Sequence, residues 1–140
     1  MQGKPSVTAA EKKKYHFPDV VSGSYYENAV VWAAKNGITK GYSSGEYKGQ
    51  FGVGLDVTRE EAVTFLYRVA GKPAVSAADL KQHTFKDIKS TAYYAKPVAW
   101  AAKNNITKGY SSGAYAGKFG VGLKVKREDI VTFMYRYKVK

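Results

Sequence analysis

The sequence lacks several features that would point to catalysis or to a membrane. Its 140 residues include no cysteine, which excludes disulfide bonds and thiolate metal sites. It contains no apolar run near the ~18 residues that a membrane-spanning helix requires. Its two histidines lie at unrelated positions, and no nucleophile–base, metal-ligand or phosphate-loop motif is present. The sequence therefore predicts a protein that is not an enzyme, has no cofactor and no metal, and has no membrane span.

What the sequence does contain is an internal repeat with an offset of 68 residues. The stretch Trp32–Gly45 returns as Trp100–Gly113 with a single change. When residues 17–68 are aligned with residues 85–136, 34 of the 52 positions are identical. A module of about 55 residues has a marginal core by itself, so tandem copies are expected to pack on each other.

The repeat divides the chain into four segments. These are a linker at 1–16, a first repeat at 17–71, a second linker at 72–84 and a second repeat at 85–140. The first linker matches the second, because Gly3–Glu11 resembles Gly71–Asp79. We therefore expect a further repeat upstream and a chain that is a piece of a longer protein.

Positive charge is concentrated in the second repeat. The net charge is +12, yet residues 17–84 carry seven basic and seven acidic residues, whereas residues 85–140 carry twelve basic and three acidic. Such a surface favours an anionic partner, which can be a wall polymer, a membrane surface or a nucleic acid. A solvated basic face without a ligand is the alternative.

Each repeat is predicted to be a helix, a Gly- and Tyr-rich loop and a second helix, so the fold class is all-α with at most short strands. The first helix should run from about Tyr25 to Asn36 and end at a left-handed residue, Gly37 or its counterpart Asn105. The second helix should start after Thr58 with a capping box. In the second repeat this cap is lost, because Lys126 replaces the threonine. Thr8 and Ser76 are expected to cap short helices in the linkers.

Apolar residues at helical spacing predict the buried face of each helix. They are Tyr26, Ala29, Val30 and Ala33, then Ala62, Val63, Leu66 and Val69 or Ala70, and in the second repeat Tyr94, Pro97, Val98 and Ala101, then Ile130, Val131, Met134 and Tyr137. Trp32 and Trp100 should shield the edges of these stripes. Asp19 and Asp87 are expected to be local turn or cap groups.

The order of these features resembles the S-layer homology (SLH) domain. The features that carry the resemblance are Phe17-x-Asp19-Val20, an aromatic-led helix, Gly37-Ile38-x-x-Gly41, a Gly-aromatic loop, Thr58-Arg59-Glu60-Glu61 and Phe65-Leu66-Tyr67-Arg68. The resemblance covers both repeats and implies tandem helical repeats, of which three commonly pack around a pseudo-threefold axis.

The function implied by the resemblance is a non-catalytic anchoring module of bacterial surface proteins. Its partner is the cell-wall glycan, a secondary cell-wall polysaccharide that often bears pyruvate ketals, and its location is the extracellular cell wall or S-layer. Ligand grooves are expected between neighbouring repeats. With two repeats, at least one groove should be incomplete, so self-association or further SLH repeats upstream are expected partners.

The resemblance also implies ligand residues, because the arginine of the Thr-Arg-x-Glu motif is the signature ligand residue of the family. It corresponds to Arg59 and, with a weaker match, to Arg127. The chemistry of a charged sugar adds other residues, since arginine matches a carboxylate, glycine admits a close ligand and tyrosine offers a ring face. These are Thr58, Lys40, Lys108, Gly41, Gly109, Tyr42 and Tyr110. Arg59 is also expected to lie beside free N–H groups at a helix N-terminus.

Other interpretations of the same residues are available. Arg59 can be a solvated first-turn residue, and the loop tyrosines, with Tyr47 and Tyr115, can simply pack the loops. A basic, tyrosine-rich second repeat also suits a nucleic-acid module, although the neutral first repeat argues against it. A protein–protein or adhesion module is the remaining alternative.

Overall fold

All regular structure is helical in residues 3–138, which are the residues that the computed structural model describes. The helices are α1 (Ala9–Lys14), α2 (Glu27–Lys35), α3 (Arg59–Val69), α4 (Ala77–Gln82), α5 (Ala95–Lys103), a 3₁₀ turn (Gly113–Tyr115) and α6 (Arg127–Lys138). Within this range, strand-like pairing is limited to one antiparallel bridge between Thr58 and Lys124. The prediction of an all-α fold is confirmed.

The ends of the helices follow from local sequence. Helix α2 begins at Glu27, two residues later than predicted, and both α2 and α5 end just before a left-handed residue, Gly37 with φ of 69° or Asn105 with φ of 59°. Glycine adopts this conformation without strain, and asparagine tolerates it better than most residues. Helix α3 begins with the expected capping box, in which the backbone N–H and the hydroxyl of Thr58 both donate to Oε1 of Glu61, at 3.3 and 2.7 Å.

The two linkers also fold as predicted, each into one short capped helix. Thr8 and Ser76 each form a capping box with an acidic residue three positions later. The same two acids then bind a lysine near the end of the next long helix: Glu11 pairs with Lys35, and Asp79 pairs with Lys103 at 3.1 Å. The linker helices therefore belong to the folded modules.

The chain divides between residues 55 and 56 into two compact units. Unit 1, residues 1–55, contains α1, α2 and the first Gly-rich loop, and unit 2, residues 56–140, contains α3 to α6. The second helix of the first sequence repeat, α3, thus packs with the second repeat, where it contacts α5 and α6. The repeats of the sequence and the units of the structure have different boundaries.

The core of unit 2 combines residues from both repeats. Val63 on α3 is completely buried in one cluster with residues of the second repeat, namely Val98, Trp100, Ala101, Ile106, Phe119 and Phe133. In unit 1 the buried apolar residues are Val20, Val30, Val31 and Ile38. Burying a side chain such as Val63 contributes about 1.5–3 kcal/mol, so these apolar contacts help to hold α3 against the second repeat.

The predicted buried faces are confirmed for α5 and for the first half of α3. Pro97, Val98 and Ala101 are buried on α5, and Ala62 and Val63 are buried on α3. Tyr94, Leu66 and Ala70 pack against the core, so Ala70 is the inward residue and Val69, 49% exposed, is not. Trp100 is buried between the rings of Tyr67 and Tyr137, whereas Trp32 is half-buried.

Two of the predicted faces are wrong in part. On α6, Val131 and Met134 are 64% and 55% exposed, and Phe133 is the buried residue, with Ile130 and Tyr137 half-buried. On α2, Ala29 is exposed and Val31 is buried, whereas Val30 is buried as predicted. Periodicity identifies which side of a helix is apolar, but the neighbouring elements decide which part of that side is covered.

Candidate ligand-binding site

Arg59 is the centre of the candidate site and is enclosed by the second repeat. It is the first residue of α3 and is only 6% exposed. Its Nε donates a hydrogen bond to the carbonyl oxygen of Phe119 at 2.9 Å. Its guanidinium carbon lies 4.9, 5.1 and 5.3 Å from the ring centroids of Tyr110, Phe119 and Phe133. A cation desolvated among three rings is stabilised by their electron-rich faces, so Arg59 is not a solvated first-turn residue.

One amino group of this guanidinium faces a carboxylate that is partly exposed to solvent. Arg59 Nη1 lies 3.6 Å from Oδ2 of Asp129, whose side chain is 33% exposed. The same Oδ2 accepts the backbone N–H of Lys126 at 3.3 Å. Charge-assisted N–H···O⁻ bonds are usually about 2.7–2.9 Å long. The Arg59–Asp129 pair is therefore a loose ion pair.

The first turn of α3 lies against the loop of the second repeat. The backbone N–H of Arg59 donates to the carbonyl of Leu123 at 2.9 Å, and the buried carboxylate of Glu60 accepts the N–H of Gly122 at 3.0 and 3.2 Å. The bridge between Thr58 and Lys124 continues this contact. The backbone N–H of Arg59 itself is therefore bound within the protein.

Asp87 fixes the loop of residues 119–121, against which Arg59 packs. Its carboxylate accepts the N–H groups of Phe119, Gly120 and Val121 at 2.8, 2.9 and 2.8 Å. Asp19 makes the same three bonds to residues 51–53, at 2.9, 2.8 and 2.9 Å. We call this arrangement the carboxylate clamp. The prediction that Asp19 and Asp87 are local turn or cap groups is wrong, because their partners lie 32–34 residues away.

In both units, the carboxylate clamp also affects the pKa of its aspartate. Burial opposes ionisation and by itself raises the pKa of each aspartate, but the three backbone N–H groups favour the anion and outweigh burial. The pKa of Asp19 and the pKa of Asp87 are therefore both below the usual value.

The glycines at the start of the loops admit a phenylalanine ring. A Cβ on Gly109 would lie 2.4 Å from Cε1 of Phe85 and 2.8 Å from the carbonyl oxygen of Lys118, and φ at Gly109 is 66°. Gly41 has the same relation to Phe17 in unit 1. The close approach that was expected to admit a ligand is thus occupied by the protein's own aromatic ring.

The loop tyrosines pack in pairs. The rings of Tyr110 and Tyr115 are 5.7 Å apart, and those of Tyr42 and Tyr47 are 5.8 Å apart. Tyr110 also covers Arg59, whereas Tyr115 is 42% exposed. In unit 2, therefore, one tyrosine packs on the arginine and the other presents a surface to solvent.

The structure brings together part of the predicted set. Arg59, Thr58 and Tyr110 meet at the contact between α3 and the second loop, and Lys108 is exposed two residues before Tyr110. Three further members, Lys40, Gly41 and Tyr42, belong to unit 1, where Lys40 is exposed. Arg127 is the exposed first residue of α6.

Sequence reasoning missed the residues that support the arginine. They are Glu60, Asp87, Phe119, Asp129 and Phe133. One signal was available for all of them except Asp129, because each of the others is identical to its counterpart in the other repeat. The identical pairs are Glu60 and Glu128, Asp19 and Asp87, Phe51 and Phe119, and Phe65 and Phe133.

Two further properties of the described residues bear on function. Among residues 3–138, no three His, Cys, Asp or Glu side chains come together in a way that could hold a metal ion. None of the helices in that range has the length and apolarity to cross a membrane.

A family model and a curated relative both match this chain. A model of the S-layer homology domain matches residues 16–63 and residues 84–131. The chain is also 26% identical over 134 residues to a cellulosome-anchoring protein of Acetivibrio thermocellus, an alignment that covers 96% of this chain and 27% of that protein. The chain thus spans about a quarter of the length of this relative. No solved structure gives a significant match.

Proposed function

This chain belongs to the S-layer homology domain family, and we propose that it is a non-catalytic module that anchors a protein to the bacterial cell surface. In both repeats, the family match covers the first helix, the Gly-rich loop and the start of the second helix. The similarity to a cellulosome-anchoring protein supports the same role, since that protein is named for anchoring.

The proposed ligand is an anionic secondary cell-wall polysaccharide, for example one that carries pyruvate ketals. Arg59 is the observation that supports this choice, because the guanidinium is buried, fixed by rings and a carbonyl, and its Nη1 pairs with Asp129 at a long 3.6 Å. The twelve basic and three acidic residues of the second repeat would attract such a polymer. The location that follows is extracellular, at the cell wall or S-layer.

In the proposed mechanism, a carboxylate of the glycan replaces Asp129 beside Arg59. A planar guanidinium can bind a carboxylate through two parallel N–H···O bonds, and a preformed geometry lowers the entropy cost of binding. Lys108 would add a second positive charge, and the exposed ring of Tyr115 beside Tyr110 would contact the sugar face. Binding would involve no covalent change in the glycan.

The remaining predicted residues are proposed either to position the groups of this site or to form an equivalent site elsewhere in the repeats. Thr58 would position Arg59 by capping α3, and Gly109 would shape the loop through its contact with Phe85. Arg127 is the counterpart of Arg59, and Lys40, Gly41 and Tyr42 are the counterparts of Lys108, Gly109 and Tyr110. Where a neighbouring repeat packs on them, these residues would form a second groove of the same kind.

The test measures the affinity of three variants for purified bacterial cell walls, and the expected change in affinity differs between them. Arg59→Lys keeps the charge but removes the planar fork, and we expect at least a tenfold loss of affinity, which corresponds to about 1.4 kcal/mol. Asp129→Asn removes the competing charge and should leave binding intact or strengthen it. Lys89→Ala, an exposed lysine of the same repeat, is the matched control for charge.

Circular dichroism of each variant separates a lost ligand contact from lost folding. The mechanism is refuted if a folded Arg59→Lys variant binds walls as well as the parent protein, or if Asp129→Asn weakens binding. Walls stripped of their secondary polymers should bind none of the proteins. If stripped walls still bind, the ligand is another wall component.

A salt series discriminates the two remaining alternatives. Binding to DNA-cellulose would fall steeply with salt, because it depends on the release of counterions, whereas specific recognition of a glycan by a fixed Arg59 should persist at moderate salt. Retention on protein-coated beads but not on walls would favour an adhesion module.

A further inference from the structure

The turns that end α2 and α5 differ at one position, and the difference changes their chemistry. The first turn reads Lys35-Asn36-Gly37-Ile38, and the second reads Lys103-Asn104-Asn105-Ile106. Asn36 is the only asparagine in the chain that precedes a glycine. The backbone nitrogen that follows an asparagine can attack the side-chain amide carbon, and a following glycine hinders this attack least because it has no Cβ. The first turn is therefore the place in the chain where this attack meets the least obstruction.

The structure leaves room for the reaction at this peptide bond. Asn36 is exposed, and a Cβ built on Gly37 would meet no heavy atom of residues 3–138 within 4 Å. In the second repeat Asn104 is half-buried, and the side chain of Asn105 stands where the first repeat has a bare Cα. Water therefore reaches both reacting groups of the first turn more easily than those of the second.

Two hydrogen bonds hold the reacting groups of the first turn apart. Nδ2 of Asn36 donates to the carbonyl oxygen of Trp32 at 2.8 Å. The N–H of Gly37 donates to the carbonyl oxygen of Ala34 at 3.1 Å. The attack requires the Gly37 nitrogen to turn from Ala34 toward Cγ of Asn36, so both bonds must open. The ends of helices open locally at a low cost in free energy, so the reaction does not require global unfolding.

We propose that Asn36 is a modification site, at which the side chain deamidates spontaneously through a cyclic imide formed with Gly37. The Gly37 nitrogen forms a bond to Cγ and gives its proton to solvent, while the bond from Cγ to Nδ2 breaks and Nδ2 leaves as ammonia after taking a proton. Water then adds to one of the two imide carbonyls and breaks its bond to nitrogen. Addition at Cγ gives aspartate, and addition at the main-chain carbonyl gives isoaspartate. Water is the only co-reactant.

Either product should weaken the end of α2. A carboxylate cannot donate to the carbonyl of Trp32, and it places a negative charge at the end of the helix where the macrodipole is also negative. Isoaspartate also lengthens the main chain by one carbon. This displaces Gly37 from its left-handed conformation, with φ of 69°, and moves the N–H of Ile38 from the carbonyl of Ala33, now 2.8 Å away. Since Ile38 is buried in unit 1, the modification should destabilise that unit.

Unit 2 should keep its structure under the same conditions. Nδ2 of Asn104 makes the equivalent bond to the carbonyl of Trp100 at 2.8 Å, but its turn ends on Asn105, with φ of 59°. The side chain of Asn105 hinders the attack that Gly37 permits. The candidate site around Arg59 lies in unit 2, so it should persist while unit 1 ages.

Exchanging the residue after each asparagine tests the proposal. Gly37→Asn copies the second repeat and Asn105→Gly copies the first, and each position already holds positive φ. After incubation at mildly alkaline pH, peptide mapping by mass spectrometry measures conversion of amide to acid, and an isoaspartyl methyltransferase labels isoaspartate. In the folded parent protein Asn36 should convert at least about tenfold faster than Asn104, a barrier difference of about 1.4 kcal/mol. Gly37→Asn should abolish this excess, and Asn105→Gly should accelerate conversion of Asn104.

Asn28 is the internal control, because it is exposed within α2 and precedes an alanine. The proposal is overturned if Asn36 converts no faster than Asn28, or if the fast site does not move with the glycine. It also fails if the folded parent protein shows no conversion at Asn36 during the time in which the urea-unfolded chain converts completely.

A substitution that mimics the aspartate product tests the effect on unit 1. Asn36→Asp should lower the urea midpoint that Trp32 reports in a single-tryptophan variant and leave the midpoint that Trp100 reports unchanged. Asn28→Asp adds the same charge near the start of α2, where the macrodipole favours it, and should not lower the midpoint. An unchanged midpoint at Trp32 in Asn36→Asp, or an equal decrease at Trp100, would contradict the effect proposed for unit 1.

Discussion

Removing the carboxylate clamp in each unit should destabilise the protein to different extents. The change is Asp87→Ala or Asp19→Ala, and either one removes an acceptor from three backbone N–H groups. A buried N–H without a partner costs about 1–3 kcal/mol, whereas a solvated one finds water. The burial of each loop therefore sets the size of the loss.

The burial of the residues that donate these N–H groups differs between the two units, so the expected loss of stability differs too. In unit 2 the orphaned N–H groups include those of Phe119 and Gly120, both in buried residues. Two buried groups predict a loss of about 4 kcal/mol for Asp87→Ala. In unit 1 the corresponding residues are half-buried and Val53 is exposed, so Asp19→Ala should cost only about 1–2 kcal/mol.

Urea unfolding of single-tryptophan variants measures each loss in its own unit. Trp32 reports on unit 1 and Trp100 on unit 2. With a slope of about 2 kcal/mol per molar urea, Asp87→Ala should lower the midpoint seen by Trp100 by about 2 M. Asp19→Ala should lower the midpoint seen by Trp32 by less than about 1 M. Equal losses in the two units, or a loss under about 1 kcal/mol for Asp87→Ala, would refute the argument from burial.

Three further predictions follow from the same structure. Acid should destabilise the clamp: the folded pKa of each clamp aspartate is lowered, so its contribution is complete above the unfolded pKa of about 3.9 and disappears as pH falls through the lower folded value. Thermal unfolding temperatures should therefore decline below about pH 4, and less steeply in the alanine variants. Gly109→Ala should cost more stability in urea than Gly113→Ala, since both have positive φ but only the first Cβ would collide, with Phe85. Val63→Ala should cost about 2 kcal/mol, whereas Val131→Ala, on the solvent side of α6, should change stability by less than about 0.5 kcal/mol in the same measurement.

Local sequence determined much of the fold. The capping residues Thr8, Thr58 and Ser76 mark helix starts because their partners lie three residues away, and a left-handed Gly37 or Asn105 marks a helix end for an equally local reason. Such signals can be found in one sequence because the cause and the effect lie within one turn of chain.

The contacts that the sequence did not reveal are those made across long chain separations. Asp87 binds N–H groups 32–34 residues away, and Arg59 binds a carbonyl 60 residues away. Neither spacing leaves a periodic pattern in the sequence. Val131 was predicted to be buried for a different reason: its helical spacing copies that of Val63, but spacing alone does not show whether another element covers the residue.

The burial of Arg59 links anchoring to the packing of repeats. A lone repeat would leave this arginine exposed and mobile, as Arg127 is exposed on α6, and a flexible cation binds a carboxylate weakly because its side-chain entropy is lost on binding. Packing α3 against the second loop fixes the guanidinium before any ligand arrives. The burial of Val63 and Phe119 offsets the side-chain entropy that is lost when the guanidinium is fixed.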